Sequence, residues 1–185
     1  LWEGNLSAHT IDPNTGAVSA TPLWQGKNTL KAQTAPASDT RTVFFRHPST
    51  GANTAFTAAN LTSAGLAGQF SNYCAAGAYK LTQCNTLVTQ DTAASTTARQ
   101  TAVNSLDNTV AYFRGQSQHE NALGNADLTK RVFRSRTNTP MGDVINAAPV
   151  YVKKPPFAYA DTGYSSFVSA NASRQAAVYV AANDG

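Results

Sequence analysis

The sequence predicts a mainly β fold with minor α, an α+β chain of antiparallel hairpins with one longer helix near residues 97–113 and a last strand that lacks a partner. Three observations lead there. Turn-forming clusters separate polar-apolar extended stretches in the first third. A single segment repeats apolar residues at three- and four-residue steps. The closing run Ala176-Ala177-Val178-Tyr179-Val180-Ala181-Ala182 leads into Asn183-Asp184-Gly185, a hairpin turn where the chain stops before a return strand.

Residues 1–11 and 17–24 form the first hairpin, joined by Asp12-Pro13-Asn14-Thr15-Gly16, where proline presets one turn residue and glycine supplies a positive φ. A third strand is expected at Arg41-Thr42-Val43-Phe44-Phe45-Arg46, ending at the turn His47-Pro48-Ser49-Thr50-Gly51, so that residues 1–51 read as sheet. Residues 52–97 show no lasting period and read as loop-rich. The helix follows at 97–113, capped by Thr96 or Thr97, with Val103, Leu106, Val110 and Phe113 on one face and Gly115 as a left-handed stop. A polar loop and a short basic run lead to Arg136, and Pro149 breaks the apolar block 140–152 into two extended pieces. Asp161 or Thr162 can cap a short helix carrying Tyr164, Phe167 and Val168, with Asn171 at its end. Val178, Tyr179, Val180, Ala181 and Ala182 then form a candidate open edge strand.

At 185 residues the chain can bury a core. Charged residues are only 13%, against about a quarter in an average soluble domain. Ala, Thr, Asn and Ser fill the gap, making up nearly half the chain, a composition that matches exported bacterial surface proteins and excludes a coiled coil. The 8 Phe, 7 Tyr and 2 Trp are spread along the sequence and predict a folded chain. Apolar runs fall short of the roughly 18–20 residues that a membrane span needs, so neither a span nor a signal peptide is expected. Leu1-Trp2-Glu3-Gly4 reads as the middle of a strand, and the chain is expected to be a fragment of a longer exported protein.

A net charge of +4, from 14 basic and 10 acidic residues, is too mild to predict a nucleic-acid partner. The one basic concentration, Lys130, Arg131, Arg134 and Arg136, encloses only Phe133 as an aromatic, and its arginines are expected to pair with carboxylates or cap carbonyls. His9, His47 and His119 stand apart from one another, and His119-Glu120 is an adjacent pair read as solvated. Nucleophile-elbow, phosphate-loop and dinucleotide patterns are missing, and the chain is read as not an enzyme, with no cofactor and no metal site. Asp12-Pro13-Asn14-Thr15-Gly16 lacks the alternating acids and closing glutamate of a calcium loop. Cys74 and Cys84 most simply close a local disulfide, worth roughly 2–3 kcal/mol on a chain-entropy model. A redox pair would need tighter spacing and a metal site two further ligands. Trp2, Trp24, Tyr151, Tyr159 and Tyr164 are the residues that would stack on sugars, though aromatics at strand positions are more often core.

Tyr112-Phe113-Arg114-Gly115, Val132-Phe133-Arg134-Ser135-Arg136, the stretch from Gly142-Asp143-Val144-Ile145 to Val150-Tyr151-Val152, and Arg174 with Val178-Tyr179-Val180-Ala181-Ala182-Asn183-Asp184-Gly185 follow one another in an order and spacing that resembles the PilY family of type IV pilus tip-associated proteins. Trp2-Glu3-Gly4-Asn5-Leu6-Ser7-Ala8, Pro22-Leu23-Trp24 and Arg41-Thr42-Val43 look like the hairpin region that precedes those motifs, so the resemblance spans nearly the whole chain, with little from residues 52–97. It implies a β-rich hairpin region with a disulfide-closed loop at 1–98, a helix and basic connector at 99–140, and at 141–185 the incomplete start of a β-propeller-like domain, of which the last strand would be an unpaired piece. It further implies a non-catalytic segment of an exported protein at the pilus tip or outer membrane. Such proteins promote pilus assembly, oppose retraction, adhere to host or abiotic surfaces and partner minor pilins. Calcium would belong only to the propeller-like part that this chain lacks.

The candidate interaction residues are Arg114, Gly115 and Gln116, where relatives often carry Arg-Gly-Asp; glutamine here removes the carboxylate that an integrin-type metal would need. A simpler role for them is helix closure, with Arg114 facing the negative end of the helix dipole. The alternative function is a self-associating filament subunit that completes its open edge with a strand from a neighbour.

Overall fold

The computed structural model describes residues 3–75, 93–120, 127, 132–136 and 139–183. It divides into two compact units, Leu1–Lys27 with Met141–Gly185, and Asn28–Pro140. Its architecture is mixed α+β, built from short helices and four two-stranded antiparallel sheets, with no closed barrel among the described residues. The expectation of a mainly β chain is corrected: the strands are two or three residues long, and helices cover more of the described chain.

In the first unit, β1 (Ser7–Ala8) pairs with β2 (Trp24–Gln25), and an Ile11–Val18 bridge continues the hairpin toward its turn. The turn forms as its residues dictate. Asp12 Oδ1 accepts from the backbone of Asn14 and Thr15 at 2.8 and 3.2 Å, Gly16 N–H donates to the Asp12 carbonyl, and Gly16 takes φ +72°. Those backbone donors hold the Asp12 carboxyl below its usual pKa. At Gly4 a side chain would collide with the Gly142 carbonyl, which fixes glycine there.

The same unit holds β7 (Val150–Val152), which starts directly after Pro149, and β8 (Ala177–Tyr179). They pair Val150 with Tyr179, Tyr151 with Val178 and Val152 with Ala177. The last strand therefore has a partner, against the expectation of an unpaired one, and Val180, Ala181 and Ala182 fall outside it. The partner comes from the far side of α5 (Tyr164–Ala170), a pairing that no tight turn announces. Gly163 at φ +85°, rather than Asp161 or Thr162, is the N-cap of α5, and Asn171 ends it as expected.

Helix α1 (Gly26–Ala32) interrupts the stretch read as sheet up to residue 51. In the second unit, β3 (Thr34–Ala35) and β4 (Ser38–Asp39) form a tight hairpin, and β5 (Phe44–Arg46) pairs with β6 (Asn53–Ala55) across the predicted turn at Gly51, φ +69°. What read as loop after residue 52 also contains α2 (Ala58–Ser63), capped by the Thr57 hydroxyl on Asn60 N–H, and a 3-10 turn at Ala67–Gln69.

The predicted long helix is two helices, α3 (Ala93–Asn104) and α4 (Leu106–Phe113). Ser105 at ψ 125° breaks the run and caps α4 by accepting from Asn108 N–H, so neither Thr96 nor Thr97 is a cap. Ending α3 there frees Asn104: its carbonyl accepts from Asn72 N–H at 3.1 Å and its Oδ1 from Cys74 N–H at 2.7 Å. The break also sends the shared apolar face to two places. Val103 packs with Cys74, Val132 and Phe133, whereas Val110 joins Phe56 and Leu61, flanked by Phe45, Phe70 and Leu106. Phe56 meets Phe70 edge to face at 5.4 Å, the geometry that ring quadrupoles favour.

Candidate functional site

Arg114 sits at the C-cap of α4 and Asp39 at the end of the β3–β4 hairpin. The guanidinium grips the carboxylate with two edges, Nε to Oδ2 at 3.0 Å and Nη2 to Oδ1 at 2.6 Å, a fork geometry that lysine cannot reproduce. Nη2 also donates to the Arg41 carbonyl at 2.8 Å and Nη1 to the Phe56 carbonyl at 3.2 Å. The Asp39 side chain is 2% exposed. Its burial raises the carboxyl pKa, but the bonds from Arg114 and Gln116, the Arg114 charge and the Arg41 N–H outweigh that and hold it below its ordinary value.

Gln116 completes the clamp, Nε2 donating to Asp39 Oδ2 at 2.9 Å. Gly115 between them takes φ +97°, the predicted left-handed stop, and a Cβ there would lie 2.7 Å from Thr34 Cγ2 and 3.1 Å from Arg41 Nη1. Arg114, Gly115 and Gln116 thus point into the second unit, and Arg114 serves Asp39 in place of the helix dipole.

A second buried pair lies next to the first. Arg136 donates from Nε to Glu120 Oε1 at 2.7 Å and from its backbone to Oε2 at 2.8 Å, while Nη2 reaches both Oε1 and the Gln116 carbonyl. Arg136 thereby meets a carboxylate as expected, but Glu120 is buried rather than solvated. The Tyr112 ring stacks with Phe133 at 4.7 Å, lies 3.9 Å from Arg136 Cζ, and sends its hydroxyl to the Arg134 carbonyl. Two of the segments that carry the family resemblance therefore pack on one another. A cleft of about 390 Å³ opens here, bordered by Lys31, Pro36, Gly115, Ser117, Glu120 and Arg136 among others. Neither Asp39 nor Glu120 is a site residue on the sequence, where His119-Glu120 reads only as an adjacent solvated pair.

Cys74 is disulfide-bonded and fully buried; Cys84, the other cysteine of the chain, lies outside the described residues, as do Lys130 and Arg131. His9 is fixed by the Ser19 carbonyl at 2.7 Å and the Ser7 hydroxyl at 3.0 Å, and His47 accepts from Ser49 N–H inside its turn. Among the described residues no three His, Cys, Asp or Glu side chains gather as a metal site, and no helix is long and apolar enough to cross a membrane.

The first unit presents a different surface. One of its two-stranded sheets pairs β7 with β8, and Val150, Tyr151 and Tyr179 are each more than half exposed. Phe157, Tyr159, Tyr164 and Phe167 form a contiguous row with ring centres 5.0–5.8 Å apart. Tyr159 and Tyr164 meet at 68°, so the row is not a coplanar platform for sugars. Trp24 is on β2, and Trp2 lies outside the described residues. Asn183 binds Asp143 through backbone and side chain at 2.9 and 3.1 Å, which joins two more of the resembling segments.

No family model, curated protein or solved structure matches the chain.

Proposed function

We propose that the chain is a non-catalytic segment of an exported, type IV pilus tip-associated protein of the PilY kind, acting in pilus assembly and surface adhesion. One observation carries this reading: the two units differ in how they use their apolar side chains. Phe56, Leu61, Val103 and Val110 are buried in the second unit, while in the first only Met141 is a buried hydrophobic side chain among the described residues. Ile11, Leu23, Val150, Tyr151, Phe157 and Tyr179 stay exposed in that first unit. The contiguous aromatic row of Phe157, Tyr159, Tyr164 and Phe167 marks a place where more protein packs. The first unit is then the start of a larger β domain, propeller-like in the family, and the second is the connector that carries it. Partners would be minor pilins and the colonised surface, and the protein would stand at the bacterial exterior. Deleting the encoding gene tests the reading: surface piliation and attachment fall, whereas unchanged pili and attachment overturn it.

A second reading rests on the β7–β8 sheet. With each of its two strands paired on one edge among the described residues, it can take a strand from another copy and so build a filament. Light scattering across a concentration range tests it; a mass that stays monomeric at high concentration counts against it.

A further inference from the structure

We infer that the cleft beside Gly115 binds a small organic carboxylate with an apolar body. Its volume, about 390 Å³, lies in the range of small-molecule sites. The wall is built rather than incidental, because φ +97° and the approach of Thr34 and Arg41 require glycine at 115.

The charges inside the wall are settled in an uneven way. Glu120 is satisfied at both carboxylate oxygens by Arg136. Asp39 is satisfied by Arg114 and Gln116. Arg136 spends Nε and Nη2 on Glu120 and the Gln116 carbonyl, and its Nη1 has no acceptor among the described residues. Lys31 borders the same cleft, and its ammonium makes no ion pair among the described residues. Among the described residues around Gly115, the cations Lys31, Arg114 and Arg136 outnumber the carboxylates Asp39 and Glu120. An anion entering the cleft meets Lys31 and Arg136, the two cations that border it.

The rest of the lining selects the kind of anion. Ala35, Pro36 and Pro140 offer apolar wall, with the hydroxyls of Ser117 and Ser135 nearby. A bare hydrated ion gains nothing from the prolines, whereas a carboxylate attached to a few carbons uses both parts of the site. Such a group is found in a free acid or at the C-terminus of a peptide.

Amide-resolved NMR titration of the whole chain separates these cases, with N-acetyl-alanyl-leucine, its C-terminal amide and hexanoate each taken to about 10 mM. The peptide acid or hexanoate is expected to shift Gly115 and Ser117 saturably, and the peptide amide to bind at least about tenfold more weakly than its acid. The exposed Lys31→Glu variant is expected to keep its melting temperature and lose that binding. Saturation by the peptide acid alone assigns a chain terminus; saturation by hexanoate alone assigns a free acid. Equal shifts from acid and amide, no saturable shift from either acid, or undiminished binding by Lys31→Glu would overturn the inference. It stands or falls independently of the pilus reading, which this titration does not touch.

Discussion

Arg114 and Asp39 are 75 residues apart in sequence and joined by two hydrogen bonds, Nε to Oδ2 at 3.0 Å and Nη2 to Oδ1 at 2.6 Å. The pair ties the end of α4 to the β3–β4 hairpin, and because Asp39 is 2% exposed, removing either partner strands a charge away from water. Arg114→Ala or Asp39→Ala is expected to cost about 3 kcal/mol, at the lower end of what breaking a buried pair costs. Arg114→Lys should recover only part of the loss, because an ammonium cannot bond both oxygens and both carbonyls at once. Urea unfolding of the three variants measures this; a Lys variant as stable as the parent would contradict the fork.

The same pair sets an acid limit. The folded-state pKa of Asp39 lies below its ordinary 3.8, so its contribution to stability is complete above the unfolded value and is lost as pH falls through the folded one. Stability should decline below about pH 4, and the decline should be shallower in Asp39→Asn, whose side chain does not titrate. Unfolding free energy measured from about pH 6 to pH 2 gives both slopes.

Gly115→Ala is expected to destabilise by about 1–3 kcal/mol, since it combines a left-handed backbone with a contact to Thr34 Cγ2. Gly16→Ala shares the positive φ but meets nothing within 4 Å, and should cost about 1 kcal/mol. The difference between the two in thermal unfolding isolates the steric part; equal losses would mean that the Thr34 contact relaxes freely.

Cys74 is buried beside Val103, so its disulfide should resist mild reductant in the folded chain. Replacing both cysteines with alanine should lower stability by about 3 kcal/mol. Intact-mass analysis with alkylation, before and after denaturation, tests the protection; rapid labelling of the native chain would contradict it.

The turns at Asp12-Pro13-Asn14-Thr15-Gly16 and His47-Pro48-Ser49-Thr50-Gly51 were legible because neighbouring residues alone decide them. The break at Ser105 was not. Val103, Leu106, Val110 and Phe113 fit one continuous helix equally well, and what favours the break is the bonding of Asn104 to Asn72 and Cys74, a distant contact that periodicity does not register. Strand β6 and helix α2 were hidden by Ala, Thr and Asn, which carry little apolar pattern, although Thr57 ahead of Ala58-Ala59-Asn60-Leu61 was a readable cap. Asp39 gained its meaning only from Arg114. Glu120 had Arg136 16 residues downstream, and a carboxylate beside a basic run was the available signal.

Immunogold electron microscopy of intact cells, with antibodies against the chain, is the first test of the proposal that it is part of a protein displayed at the pilus tip. The account predicts gold particles at pilus ends and at the cell surface. Label confined to the cytoplasm of sectioned cells would contradict it.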